Sequence, residues 1–333
     1  MKNNILLFLV FIAQMGWGQE DYYASQSRFM QKTNPSYFGV NNLNKVGVLY
    51  NSLSLGQNSS SDNKYLFGVI SFDDKKFSLG FDVNSLKISS TNLTISSFKI
   101  SYIYKIQLTN NTYFLPGVSM GIGNTQVNKE ALIFEDQLNA TSGFINTETI
   151  DPLGDLLGNA NYFDFGVSFL IHNQNYILGL SLKHLNRPNT SLNKEREYNK
   201  PVSFSLQGGK EFDINPFDRS FLPRYSYLFT YGSVSKIENN FYLNFIQEAR
   251  LGEFSLGFNQ KISNVGGFNF NSLGAAIGIQ FENFEFGLAY NFPFRKQARV
   301  FAPSIFELFV TFDFSKFRKN QRGFFKHLQI ENY

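Results

Sequence analysis

The sequence has no cysteine among its 333 residues. This absence excludes a disulfide framework, cysteine-based metal sites, a thiol nucleophile and a lipidated N-terminal cysteine. Histidine is nearly as scarce, and His172, His184 and His327 show neither the H-x-x-x-H nor the H-E-x-x-H spacing of a metal site. The adjacent carboxylates Asp73 and Asp74 have the setting of a hairpin turn, where neighbouring side chains point in different directions. We therefore expect no enzymatic activity, no cofactor and no metal.

Long apolar runs and an excess of one charge are also missing. Beyond the N-terminus, no segment approaches the roughly 18–20 consecutive apolar residues that a membrane-spanning helix needs. Charged residues make up 17% of the chain, below the usual level of about 25%. The net charge is only +4, and basic residues are dispersed except near the C-terminus. This composition argues against a helical membrane protein and against nucleic-acid binding.

The N-terminus, "MKNNILLFLVFIAQMGWGQE", has the organisation of a secretory signal peptide. One Lys precedes an apolar core from Ile5 to Ala13, and the small residues Gly16 and Gly18 follow it. The apolar core is too short to span a bilayer as a retained anchor. We predict cleavage after Gly18, so that residues 1–18 form a signal peptide.

What the chain has in abundance is alternation of apolar residues with small or polar ones. In "YFDFGVSFLIHNQNYILGLSL", residues 162–182, alternate positions are apolar from Phe163 to Ile171, and the pattern resumes at Leu178 after a polar turn. An apolar residue at every second position predicts a β-strand with one apolar face. The pattern predicts fourteen strands, at residues 45–54, 64–72, 76–88, 95–107, 112–123, 162–171, 175–186, 201–210, 222–234, 239–249, 252–262, 271–282, 283–293 and 303–314.

The composition of the two strand faces indicates which solvent each face meets. In "FEFGLAYNF", residues 284–292, one face carries only large apolar side chains, while the other carries Glu285, Gly287, Ala289 and Asn291. A soluble sandwich would place Lys, Glu and Arg in quantity on its outer face. Strand lengths of about 9–13 residues match a tilted crossing of the hydrocarbon layer. We therefore predict an all-β fold, a transmembrane antiparallel β-barrel of about 14 strands in the bacterial outer membrane, with its apolar face toward lipid.

The connections between these strands alternate in length. Short polar turns alternate with longer connections at residues 56–63, 124–160, 187–200 and 212–219. This asymmetry predicts short periplasmic turns at one rim and longer extracellular loops at the other. Several tyrosines near strand ends either form aromatic girdles or simply fill β positions, where aromatic residues are common: Tyr50, Tyr65, Tyr113, Tyr162, Tyr242 and Tyr290.

The segment after the signal peptide, "QEDYYASQSRFMQKTNPSYFG", resembles the N-terminal signature of the PorP/SprF family of type IX secretion system membrane proteins. That signature runs Gln, acidic, aromatic, then Ser-Gln, Phe-Met and Asn-Pro-Ser/Ala-Tyr-x-Gly. Later stretches such as "SIFELFVTFDF" are also similar to the family, whereas the turn "FDDKK" and the extension past Phe314 depart from it. The matching positions of the signature are Gln19, Asp21, Ser25, Gln26, Phe29, Met30, Asn34, Pro35, Tyr37 and Gly39.

The resemblance implies an outer-membrane component with no enzymatic activity of its own. It implies a role in the export or cell-surface anchoring of a large secreted, adhesin-like protein through the C-terminal domain of that protein. It further implies association with periplasmic parts of the type IX secretion or gliding machinery. The surface that grips the exported protein is either the long extracellular loops or the N-terminal segment, where the candidate partner-binding residues are Asn34, Pro35, Tyr37 and Gly39.

Four regions follow from these patterns: the signal peptide (1–18), an N-terminal segment (19–44), the barrel (45–314) and a basic C-terminal tail (315–333). Strand parity places the tail at the periplasmic rim. There it is either a docking peptide for a periplasmic partner or acidic head groups, or a disordered solvated extension. The candidate docking residues are Arg318, Lys319, Arg322, Phe324 and Phe325.

A porin or uptake channel for small or hydrophobic molecules is the alternative function. Porins usually show rows of charge in the lumen, and the positions predicted to face the lumen here carry little. An uptake barrel would have an N-terminal plug; segment 19–44 is short for one, although it could enter the pore. A barrel that tethers the membrane to peptidoglycan is a third alternative, disfavoured because no periplasmic globular domain is predicted after the barrel.

Overall fold

In the computed structural model, the described parts of the chain are residues 23–42, 44–56, 59–72, 75–128, 137, 158–192, 197–217, 220–223, 226–264, 269–294 and 304–315. Two short helices come first, α1 (Met30–Thr33) and a 3-10 helix (Pro35–Asn42), and fifteen strands follow. Within these residues, no helix is both long and apolar enough to cross a bilayer. The strands are β1 (Lys45–Gly56), β2 (Ser59–Phe72), β3 (Phe77–Ile88), β4 (Leu93–Tyr104), β5 (Ile106–Thr109), β6 (Thr112–Val127), β7 (Asn159–His172), β8 (Tyr176–Lys183), β9 (Ser203–Asp213), β10 (Ser226–Ile237), β11 (Asn240–Leu251), β12 (Phe254–Ser263), β13 (Asn269–Phe281), β14 (Phe284–Pro293) and β15 (Ser304–Asp313).

The strands form one closed antiparallel barrel. Strands β1 to β4 and strands β5 to β15 each pair with their neighbours in sequence, β1 also pairs with β15, and β4 pairs with β6 rather than with β5. The short strand β5 continues the line of β4 after Lys105 and pairs with β6, so the wall has fourteen strands plus this extension. The predicted all-β barrel of about 14 strands is therefore confirmed. Closure matters because lipid offers no hydrogen-bond partners to an open sheet edge.

One predicted connection is wrong. Residues 56–63 were expected to form a loop, but β2 begins at Ser59 and pairs with both β1 and β3 from Ser61 onward. Ser61 and Asn63 are buried on the inner face of the barrel. Polar residues are acceptable there because the inner face of a barrel does not meet lipid, and for this reason a polar run was mistaken for a turn.

The two rims of the barrel differ in their connections. The turn rim, where the chain enters β1 and leaves β15, has hairpin turns of two to four residues, except for residues 214–225 between β9 and β10. The prediction of a longer connection at 212–219 on the loop rim is therefore wrong in its rim and in its bounds. The opposite loop rim carries the long connections between β6 and β7 and between β8 and β9. In outer-membrane barrels, short turns face the periplasm and long loops face outward.

The strand faces agree with the predicted alternation. On β14, Phe286, Leu288 and Tyr290 are exposed on the outer wall, whereas Ala289 and Asn291 are buried in the lumen. The exposed apolar belt continues on the other strands, which is the surface expected to meet lipid. The aromatic-girdle interpretation is wrong for four of the strand-end tyrosines: Tyr65 and Tyr242 are buried inside the barrel, Tyr113 packs against the core in the lumen, and Tyr162 lines a luminal cavity.

A cation in the middle of the lipid-facing belt should destabilise the barrel. Leu288 lies mid-strand on β14, is exposed and pairs with Leu308 of β15. We expect Leu288→Arg to lower the free energy of unfolding in phospholipid vesicles by about 2–4 kcal/mol, the range for Arg at the bilayer midplane. The change is measured by titration with denaturant, and the folded fraction at each point is determined from the heat-modifiable mobility of the barrel on a gel. The control is Asn239→Arg in an exposed turn; equal losses in the two variants would contradict the lipid-facing assignment.

Candidate functional site

The lumen of the barrel contains the N-terminal segment. Residues 23–42, called the plug from here on, fold into α1 and the 3-10 helix within the barrel. Every side chain from Tyr23 to Val40 is buried, including those of Arg28, Lys32 and Asn34. A buried polar segment must find hydrogen-bond partners, and the inner wall supplies them.

The Asn-Pro step shapes the plug. Asn34 follows the last residue of α1 in an extended conformation, and its backbone N–H still donates to Met30 O. Its side-chain Oδ1 accepts a hydrogen bond of 3.0 Å from Ser36 N, which is the Asx turn that Asn commonly forms with the backbone two residues on. Pro35 then starts the 3-10 helix with a pre-set backbone angle. The Asn-Pro pair therefore ends one helix and begins the next inside the lumen.

The same Asn34 side chain fixes the plug to the wall. Its Nδ2 lies 3.2 Å from Phe169 O on β7, 3.3 Å from Leu180 O on β8 and 2.9 Å from Gln207 Oε1 on β9. Asn34 is fully buried, with 0% of its surface exposed. Gly179 makes this approach possible, because a Cβ there would lie 2.7 Å from Asn34 Nδ2. Replacement of Asn34 would leave buried acceptors without this donor.

A carboxylate of the last strand holds the start of the plug. Glu307 on β15 is fully buried. Its Oε1 accepts a hydrogen bond of 2.5 Å from Ala24 N, and its Oε2 accepts one of 2.8 Å from Ser25 N. The Asn51 side chain of β1 donates to Glu307 Oε1 at 2.7 Å. These three hydrogen bonds satisfy the buried carboxyl group, so Glu307 ties the plug to the seam between β1 and β15.

A third attachment is an ion-pair cluster around Arg28. Its guanidinium Nη2 lies 2.6 Å from Glu248 Oε1 of β11, and its Nη1 donates to Glu285 of β14. Arg250 of β11 also contacts Glu285, at 2.7 Å. Arg28 Nη2 donates to Ser255 Oγ of β12 at 2.5 Å. Lys45 Nζ lies 3.8 Å from the other oxygen of Glu285, so every charge of the cluster has an opposite charge nearby, and removal of one partner would leave a buried charge less well compensated.

Apolar contacts also hold the plug against the inner wall of the barrel. Phe29 packs edge-on against Phe67 at a centroid distance of 5.8 Å and against Phe309 at 5.5 Å. Edge-to-face packing of this kind adds to the gain from burial. Phe38 lies over Gly80 of β3, where any side chain on the glycine would overlap the Phe38 ring. The wall therefore has a recess that matches the plug.

Above the plug, toward the loop rim, the lumen contains a cavity with a volume of about 600 Å³, which we call the vestibule. Tyr23, Lys32 and Thr33 of the plug form its floor. In its wall, Asp164 Oδ2 lies 2.8 Å from Lys99 Nζ, and its Oδ1 lies 2.7 Å from Nδ1 of His184. Burial lowers the pKa of His184 to about 4, so this imidazole is neutral at physiological pH.

The candidate partner-binding residues all lie in the plug. Pro35 and Asn34 form the turn described above, Tyr37 is buried beside Tyr231 of β10, and Gly39 packs against Ile103. Their contacts in the structure are with the barrel's own wall, and direct binding of a partner stays a prediction. The candidate docking residues Arg318, Lys319, Arg322, Phe324 and Phe325, and the signal peptide 1–18, lie outside the described residues.

Sequence reasoning missed the charged residues that hold the plug. Arg28, Glu248, Glu285 and Glu307 were assigned no role, although Glu285 is the one carboxylate on the inward face of β14 and Glu307 lies among apolar residues on β15. A buried carboxylate requires a partner. A search for a matching cation in the N-terminal segment would have led to Arg28.

A closed barrel with an apolar outer wall and a protein segment in its lumen defines the class: an outer-membrane β-barrel with an internal plug. The family model described as type IX secretion system membrane protein PorP/SprF matches residues 18–312, nearly the whole chain. The chain therefore belongs to the PorP/SprF family and is an outer-membrane component of type IX secretion. Both this family and this fold are non-enzymatic kinds of protein.

Solved structures of outer-membrane barrels are similar in fold only. Omp33 of Acinetobacter baumannii is 8% identical with a TM-score of 0.46, over 83% of this chain and 100% of that one. A deltaS2S3 mutant of the TodX monoaromatic hydrocarbon channel is 11% identical with a TM-score of 0.48, over 88% of this chain and 94% of that one. No curated protein matches the sequence significantly.

The Asn34 side chain should limit how often the plug detaches from the inner wall. Because the chain lacks cysteine, Ala24→Cys places a single thiol at a buried plug position. Adding Asn34→Ala should cost about 1–3 kcal/mol of plug docking and raise the rate of maleimide labelling about tenfold to hundredfold. The control is Asn175→Ala in an exposed hairpin turn. Equal labelling rates in both variants would show that Asn34 does not hold the plug.

Proposed function

We propose that the protein supports the export or cell-surface anchoring of a large secreted, adhesin-like protein through that protein's C-terminal domain, as a non-enzymatic part of type IX secretion and gliding. Membership of the PorP/SprF family over residues 18–312 is the observation that carries this proposal. The family match supports contact with the secretion machinery and its cargo. The kind of protein that is exported or anchored is the part of the proposal that goes beyond the family match.

The presence of the plug favours a role as a membrane anchor over a role as an export channel. It contacts the wall at β7–β9 through Asn34, at β11–β14 through Arg28 and at β15 through Glu307. An exported polypeptide could not pass through the barrel while the plug is seated. The barrel then serves as a membrane-embedded support, and the exported protein is held at its outer surface.

The loop rim is the surface that we propose for gripping the exported protein. Long loops of outer-membrane barrels face outward, and the vestibule lies on the same side of the plug. In this arrangement the signature residues Asn34, Pro35, Tyr37 and Gly39 act by seating the plug, which forms the vestibule floor. Direct binding of the partner by these residues would require the plug to leave its seat. Docking of the basic tail to a periplasmic component stays a separate proposal.

The proposal is tested by isolation of the protein with its partners. The tagged chain is extracted from outer membranes in mild detergent, and co-purified proteins are identified by mass spectrometry. We expect one large surface protein to be retained through its C-terminal domain, and we expect its surface display to fall when the barrel is absent. An unrelated barrel from the same membranes is the control. Recovery of the barrel alone, with surface display unchanged, would contradict the proposal.

The channel alternative makes a different prediction in planar bilayers. With the plug seated we expect no stable conductance from the full-length protein, whereas deletion of residues 23–42 should open a pore, since barrels of this size enclose a lumen wide enough for water. If that deletion prevents folding, the double variant Arg28→Ala/Asn34→Ala loosens the same plug. Stable, selective conductance from the unaltered protein would favour a porin or uptake channel.

A further inference from the structure

The turn rim carries one long connection, residues 214–225 between β9 and β10, which we call the turn-rim loop. The other described turns on this rim contain only two to four residues. A two-residue hairpin would have been sufficient to join two antiparallel strands. The extra length of the turn-rim loop therefore requires an explanation beyond connection.

The turn-rim loop is held in place by its own hydrogen bonds. Ile214 N donates to Ser226 O at 3.1 Å, across the base of the loop. Asn215, which is only 3% exposed, donates from Nδ2 to Pro223 O at 3.1 Å. Ser226 Oγ donates to the same carbonyl at 2.8 Å. These bonds hold the base of the loop, at Ile214, Asn215, Pro223 and Ser226.

The side chains presented by this loop are two phenylalanines. Phe217 is 80% exposed and Phe221 is 72% exposed. Among the described residues, no other large apolar side chain is as exposed; Phe281, on the lipid-facing wall, reaches 64%. Two aromatic rings held this far out in water would be unfavourable, because apolar area exposed to water raises the free energy. Paired exposed aromatic residues indicate a surface that another apolar phase covers.

The neighbouring strands indicate which phase this is. Phe212 faces outward immediately before the loop, and Phe254, Phe281 and Phe284 face outward at the same rim on the following strands. These residues belong to the belt that meets lipid. Phe217 and Phe221 follow Phe212 along the chain and belong to the connection at the same rim as this belt.

We propose that Phe217 and Phe221 insert into the boundary between acyl chains and head groups in the periplasmic leaflet. Aromatic side chains at this depth anchor membrane proteins. The tilt of a membrane-embedded element depends on such anchors. The turn-rim loop would fix the orientation of the barrel on its periplasmic side. The proposal is independent of which protein is exported.

Tryptophan fluorescence tests the proposal directly. The single tryptophan of the sequence, Trp17, lies in the predicted signal peptide, so a chain refolded from Gln19 onward contains none. Phe217→Trp in phosphatidylcholine vesicles should show a blue-shifted emission that decreases when the lipids carry bromine near the head group. Leu288→Trp, mid-strand in the belt, is the control that bromine near the chain ends should quench most, and Asn239→Trp, in an exposed turn, is the unquenched control.

The outcome that would overturn the proposal is emission from Phe217→Trp as weakly quenched as that from Asn239→Trp. The proposal would also be wrong if this emission shifted only when periplasmic proteins were added, since the surface would then bind protein. Phe221→Trp provides the same measurement at the second position and applies if the first variant does not fold. Quenching of both variants, with bromine near the head group more effective than bromine near the chain ends, supports insertion at the boundary.

Discussion

The structure depends on one constraint: in lipid, each backbone N–H and C=O of the wall needs a partner within the protein. Fourteen strands meet this constraint by closing on themselves, through the pairing of β1 with β15. Closure at this strand number creates a lumen too wide to be filled by wall side chains alone. A segment of the same chain therefore has room to fold inside, and residues 23–42 do so.

The plug is attached to widely separated parts of the wall. Asn34 contacts β7, β8 and β9, Arg28 contacts β11, β12 and β14, and Glu307 of β15 binds the backbone at the plug's start. These contacts join opposite walls through the plug. Each also satisfies a polar group that would be costly to bury alone. The N-terminal signature thus describes a segment that binds inside its own barrel.

The sequence predicted the fourteen strands well because alternation is a local property that a two-residue repeat makes visible. For Leu288 and Asn291, the alternation with their immediate neighbours is enough to predict whether the side chain faces lipid or the lumen. The same reasoning failed at Ser61 and Asn63, where polar residues face a lumen and the run resembles a turn. Strand ends were also extended by several residues at β2 and β6, because no lipid boundary limits polar strand residues outside the membrane.

The sequence by itself determined the class of protein: a signal peptide pattern, a two-residue apolar period and a family signature are all read along the chain. The tertiary structure alone decided what the signature does, because its partners are distant in sequence. Ala24 and Glu307 are separated by 283 positions, and Arg28 and Glu248 by 220. A short-range repeat in the sequence cannot predict such pairs, because they form only when closure of the barrel brings its inner wall around the N-terminal segment.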